Sequence, residues 1–147
     1  MPSSLLSINV FLADDSELIR SRIAVMLQGQ AHSPAVTVVG QAATPKACID
    51  AILATRPDVV VLDIQLKGGS GLEVLHAVRK VAPATQFVMF SHHSSAGYRN
   101  LYLREGAAGF LDKNSEFDQL PLAVENAARQ THPSLPDSFV IPPIEGK

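Results

Sequence analysis

At 147 residues, 46% hydrophobic and 18% charged, the chain has material for one domain with a real core and little room for a second. Its formal net charge of −2, from 12 basic and 14 acidic residues with no basic run longer than Arg79-Lys80, argues against direct DNA or RNA binding. No apolar run approaches the roughly 20 residues that span a bilayer, and the N-terminal Met1-Pro2-Ser3-Ser4 lacks the positive start of a secretion signal.

The lone Cys48 can form no intramolecular disulfide, and its neighbours Ala47, Ile49 and Ile52 predict a buried side chain. A soluble protein of the reducing cytoplasm is the expectation. Ile8 to Ala13 has strand length and is followed by the capping residues Asp14-Asp15-Ser16. Ile19, Ile23, Met26 and Leu27 then fall on one helical face that ends near Gly29. Val36 to Gly40 is β-branched, and Thr44-Pro45 reads as an N-cap with a first-turn proline for a helix reaching about Arg56. Asp58 to Asp63 is the most apolar run, as suits a central parallel strand buried on both faces. Turn chemistry over Gln65 to Gly71 leads into a helix predicted to turn Leu72, Leu75, Val78 and Ala82 inward before Pro83. Strand four is predicted over Gln86 to Ser91, a helix over about Ala96 to Glu105, and strand five over Ala108 to Asp112. A last helix runs from near Asp118 or Pro121 to Gln130.

Five strands alternating with five helices predict an α/β fold, a doubly wound (βα)5 parallel sheet with right-handed crossovers. In the flavodoxin-like order 2-1-3-4-5, strands one and three are neighbours at the switch point where ligands gather. Asp14 and Asp15 follow strand one and Asp63 ends strand three, so three acids would converge, with Ser91 and Lys113 at the ends of strands four and five. Each has an ordinary reading alone: an Asp after a strand is usually a cap or turn former, and a lone Lys is usually solvated. Their coincidence at four strand ends favours a shared site. Repulsion makes such a cluster tolerable only if a cation sits among the acids or a proton is shared, and an all-oxygen, partly hydrated site suits Mg²⁺. A nucleophilic Asp, a metal and hydrogen-bond donors are what phosphoryl transfer to a carboxylate requires.

The pattern Asp14-Asp15, Val60-Val61-Leu62-Asp63-Ile64, Gly69-Ser70-Gly71-Leu72-Glu73, Ser91 and Gly109-Phe110-Leu111-Asp112-Lys113 resembles the receiver domain of two-component response regulators over residues 7–130. That resemblance implies Asp63 as phosphoacceptor and Asp15 as a direct Mg²⁺ ligand. Asp14 would act on the metal largely through water, and the backbone carbonyl of Gln65 would be a further ligand. Ser91 and Lys113 would bind phosphoryl oxygens, and Phe110 would occupy the aromatic switch position. It further implies a sensor histidine kinase or histidine phosphotransfer protein as donor and a downstream protein target or homodimer as readout, with no external substrate turned over. Phosphorylation would be read out on the fourth helix, fifth strand and fifth helix, around Tyr98, Arg99, Tyr102 and Phe110.

Two positions depart from the pattern. Lys67 stands where proline is usual, predicting a looser loop and an extra cation near the pocket, and His92 stands where a small residue is usual, predicting narrowed access to Asp63. Both features favour a rival reading, an interaction module that keeps the fold without carrying phosphate. The adjacent pair His92-His93 is read as a surface loop rather than a metal site, and His32, His76 and His132 carry no assigned chemistry. A flavin- or nucleotide-binding role is disfavoured because no phosphate-cradling glycine loop follows strand one. Residues 131–147 contain Pro133, Pro136, Pro142 and Pro143 and read as a tail, with too little chain for an output domain. Within it Ser138-Phe139-Val140-Ile141 is apolar and β-prone, a segment suited to docking on this or another molecule, with an inert linker remnant as the alternative.

Overall fold

The apolar runs become parallel strands because each is flanked by capping residues that start a helix and send the chain back across the sheet. The structure, a computed structural model, describes residues 7–29 and 35–131. In chain order the elements are β1 (Ile8–Ala13), α1 (Glu17–Gln28), β2 (Val36–Ala42), α2 (Pro45–Thr55), β3 (Val59–Leu62), β4 (Gln65–Leu66), β5 (Gly69–Ser70), α3 (Gly71–Val81), β6 (Gln86–Ser91), α4 (Ala96–Arg104), β7 (Gly109–Asp112) and α5 (Leu120–Ala128). One sheet runs β2-β1-β3-β6-β7 with every pairing parallel. Since β4 and β5 form a separate small hairpin, this is the expected 2-1-3-4-5 order.

Alternation along the strands divides the core between two faces. Ile8, Val10 and Leu12 of β1, with Val59 and Val61 of β3, meet Ile23 and Leu27 of α1 and Val124 and Ala127 of α5. The intervening Phe11, Val60 and Leu62 meet Cys48 and Ile52 of α2, Val74, Leu75 and Val78 of α3 and Tyr102 of α4. A strand buried on both faces must be apolar at every position, as the four residues of β3 are. Cys48 is fully buried as expected, and burial pushes its thiol pKa up to about 12.

Side chains start the helices, at the predicted caps Ser16 and Thr44 and also at Ser95 and Ser70. Ser16 Oγ accepts from the Ile19 N–H at 3.2 Å, Thr44 Oγ1 from Ala47 at 3.2 Å and Ser95 Oγ from Tyr98 at 3.4 Å. Ser70 and Glu73 form a capping box at α3. Several expectations change in detail. Asp58 precedes β3 because its carboxylate accepts the Asn9 N–H at 2.8 Å. Val74, rather than Leu72, lies fully buried on α3, and Leu72 is partly covered. The Gln65 to Gly71 loop contains the hairpin, and a 3₁₀ turn at Phe117–Gln119 precedes α5. The proposed tail beyond Thr131, its Ser138 to Ile141 segment, His32 and His132 lie outside the described residues. Among those described, no helix is long and apolar enough to cross a membrane.

Candidate functional site

Parallel strands place all their carboxyl ends on one edge of the sheet. Ala13 of β1 pairs in register with Leu62 of β3, so the residues that follow, Asp14 and Asp63, emerge side by side. Ser91 of β6 pairs with Asp112 of β7, and the Lys113 N–H donates to the Ser91 carbonyl at 3.0 Å, carrying Lys113 past the end of β7. Backbone bonds fix the acidic turns: the Asp63 N–H donates to the Ala13 carbonyl at 2.9 Å, and the Ser16 N–H donates to Asp14 Oδ1 at 2.9 Å.

The side chains converge as predicted. Oxygens of Asp14, Asp15 and Asp63 lie within 4.8 Å of one another. Lys113 Nζ reaches into this cluster, 2.5 Å from Asp14 Oδ2 and 2.8 Å from Asp63 Oδ2, with all three side chains buried and Asp15 exposed. One ammonium against three carboxylates leaves an excess of negative charge. Burial accordingly raises the Asp14 pKa, outweighing the lowering by the Lys113 hydrogen bond and the Ser16 N–H. Burial alone would lower Lys113, but hydrogen bonds to Asp14 and Asp63 more than offset it and hold the ammonium above its ordinary range. An oxygen-only donor set with surplus negative charge fits a hard divalent cation such as Mg²⁺.

A cleft of about 230 Å³ opens over Asp63 and Lys113, with Asp15, Gln65, His92 and His93 on its walls. Ser91 lies fully buried at the end of β6, and its Oγ accepts from the His93 N–H at 3.0 Å. His92 does line the cleft, with Nδ1 3.0 Å from Asn114 Oδ1. His93, read as surface loop, lines it too: its Nε2 is 2.9 Å from Gln65 Oε1, joining the β6–α4 loop to the loop after Asp63. This contact spans 28 residues of sequence and has no local signature. Ser94 Oγ donates to Asp112 Oδ2, and together with the Asn114 N–H this holds the half-buried Asp112 carboxyl below its usual range.

Lys67 is corrected. It is exposed and lines a different groove with Thr44 and Pro45, and its N–H donates to the Ala43 carbonyl at 2.9 Å, so the loop is anchored and brings no cation to the cleft. Glycine follows for a steric reason: a Cβ on Gly71 would lie 2.3 Å from the Asp63 carbonyl oxygen. Phe110 is buried with its ring centroid 6.3 Å from Tyr102, and the Arg99 guanidinium sits 5.1 Å above it while Arg99 Nη1 donates to the Phe110 carbonyl at 2.8 Å. Tyr102 thus packs inward, while Tyr98 is 43% exposed and meets His93 edge-on at 6.3 Å.

Residues 10–125 match the family model described as the response regulator receiver domain. The chain belongs to that family. The NarL protein of Mycobacterium tuberculosis strain H37Rv, described as a probable transcriptional regulator, is 34% identical to this receiver over 122 residues, 83% of this chain and 55% of that protein. The uncharacterized transcriptional regulatory protein YvfU of Bacillus subtilis strain 168 is 28% identical over 122 residues, covering 83% of this chain and 60% of that protein. The receiver spans a little over half the length of these relatives. Among solved structures, the signal receiver domain of the response regulator NarL from Mycobacterium tuberculosis superposes with a TM-score of 0.76 at 32% identity, covering 84% of this chain and 98% of that one. The response regulator domain of Thermotoga maritima CheB superposes with a TM-score of 0.72 at 27% identity, covering 88% and 99%. Both agree with the doubly wound sheet described above.

Proposed function

We propose that this receiver accepts a phosphoryl group on Asp63 from a histidine kinase or histidine phosphotransfer protein and signals through phosphorylation-dependent protein contacts. The observation that carries the reading is Asp63 lining the cleft, held 2.8 Å from Lys113 and grouped with Asp14 and Asp15. An Asp63 oxygen attacks phosphorus, the bond from phosphorus to the donor imidazole nitrogen breaks, and the imidazole leaves with the bonding pair. Asp14, Asp15, Asp63 and the Gln65 carbonyl would hold Mg²⁺, which when bound neutralises charge on the phosphoryl oxygens. Lys113 supplies an ammonium already in contact with the nucleophile, and Ser91 a hydroxyl at the adjacent strand end. When both engage the phosphoryl group, the ends of β6 and β7 shift, and the population of states at α4, β7 and α5 shifts with them through Phe110.

The receiver unit is taken as residues 7–130 with 131–147 as a tail, acting in the cytoplasm as a switch rather than on an external substrate, with a protein target or a second copy as its partner. Incubation with a small phosphoryl donor and Mg²⁺ tests the assignment. Wild type should gain one phosphoryl group and Asp63→Asn none; equal labelling of both, or of neither, refutes it. That the receiver works without an attached output domain is an expectation from sequence to which the longer relatives lend no support, and the mass of the polypeptide made in its native cell tests it.

His92 and His93 in the cleft wall favour a second reading, a constitutive interaction module that carries no phosphate. Labelling separates the two, since the module gains no phosphoryl group on Asp63 from a small donor even when Mg²⁺ is present.

A further inference from the structure

At the amino edge of the sheet, opposite Asp63, the α2–β3 and α3–β6 connections wall a groove of about 490 Å³. Its lining is largely apolar, with Pro57, Val81, Ala82 and Pro83, and Arg56 stands at its rim. Val81 ends α3 and is 54% exposed at this groove. Thr131, which follows α5, also lines this groove, so the chain leaves the domain at the groove itself.

We infer that the groove is the docking site of this chain's own segment Phe139-Val140-Ile141. Sixteen residues follow Thr131, and they contain three consecutive large apolar residues. Seven residues lie between Thr131 and Phe139, and the eight steps reach up to about 26 Å when extended, which is ample for a groove that Thr131 already touches. Tethering by so short a linker raises the local concentration of the segment to roughly the millimolar range, so weak intrinsic affinity suffices for occupancy. The groove and the acidic cleft lie at opposite ends of the strands, so the inference does not depend on the phosphoacceptor reading.

The test compares three full-length proteins by NMR: wild type, a triple variant with Phe139→Ser, Val140→Ser and Ile141→Ser, and Val81→Asp at an exposed position. Docking places the Phe139 ring against the groove, so the methyl signals of Val81, Ala82 and Ala84 in wild type should carry ring-current shifts. The Ala82 and Ala84 shifts should collapse to the same values in both variants, and the wild-type shifts should persist unchanged on tenfold dilution. Coincident spectra for wild type and the triple variant overturn the inference. So do shifts that fade on dilution, since they assign the groove to a second copy of the chain.

Discussion

Replacing Lys113 by Ala removes the one cation from a cluster of three carboxylates, two of them buried. At 2.5 and 2.8 Å each attraction is on the order of 6 kcal/mol at an effective dielectric of 20, most of it offset by taking the ions out of water. The measurable cost is that of leaving Asp14 and Asp63 buried and unpaired, about 3–5 kcal/mol. For a domain of this size that corresponds to a fall in Tm on the order of 10–20 °C. The assay is a thermal melt at pH 7 in a chelating buffer. Asp14 already has a raised pKa from burial, and loss of its lowering partner raises it further. An acid whose folded pKa exceeds its unfolded value binds more protons when folded, so the stability of the variant falls as pH rises between the two values. The deficit against wild type should therefore shrink towards pH 5, and it should shrink on adding Mg²⁺ at pH 7, where the cation replaces the missing charge. A metal-free Tm within about 2 °C of wild type, or a large deficit indifferent to both acid and Mg²⁺, would refute the electrostatic account. Wild type should lose the contribution of Lys113 only as pH rises above 10.5 and through the raised folded pKa, a loss the Lys113→Ala melt should not show.

Asp63→Asn leaves the Lys113 to Asp14 pair intact while removing one of the competing negative charges, so its metal-free Tm should equal or exceed wild type while phosphorylation is abolished; clear destabilisation would contradict repulsion among the acids. Ser91→Ala should accept phosphate yet bind a phosphorylation-dependent partner more weakly, and hydrogen exchange confined to the neighbourhood of Asp63 on phosphorylation would argue against coupling to α4, β7 and α5. Gly71→Ala should cost roughly 1–3 kcal/mol in denaturant melts and slow labelling of Asp63, because the new methyl meets the carbonyl of the nucleophile itself. An unchanged labelling rate would show that this contact does not position Asp63.

Local chemistry in the sequence determined which elements form. β-branched runs of strand length, capping residues directly after them and helical spacing of apolar residues specify each unit within a dozen neighbours, and strict alternation then selects a doubly wound parallel sheet. From that fold alone Asp14, Asp15, Asp63, Ser91 and Lys113 had to meet at the carboxyl edge. What sequence does not encode locally is which side chain touches which at that edge. Helical spacing turned Leu72 inward on α3, yet packing buries Val74 fully and covers Leu72 only in part. Lys67 lies four residues from Asp63, yet the β4–β5 hairpin turns it towards α2 and away from the cleft. Lys113 is 50 residues from Asp63 and binds it directly, while His93 closes on Gln65 across 28. Such contacts depend on strand order and register, which bring distant residues within a hydrogen bond, and only the packed tertiary structure sets them.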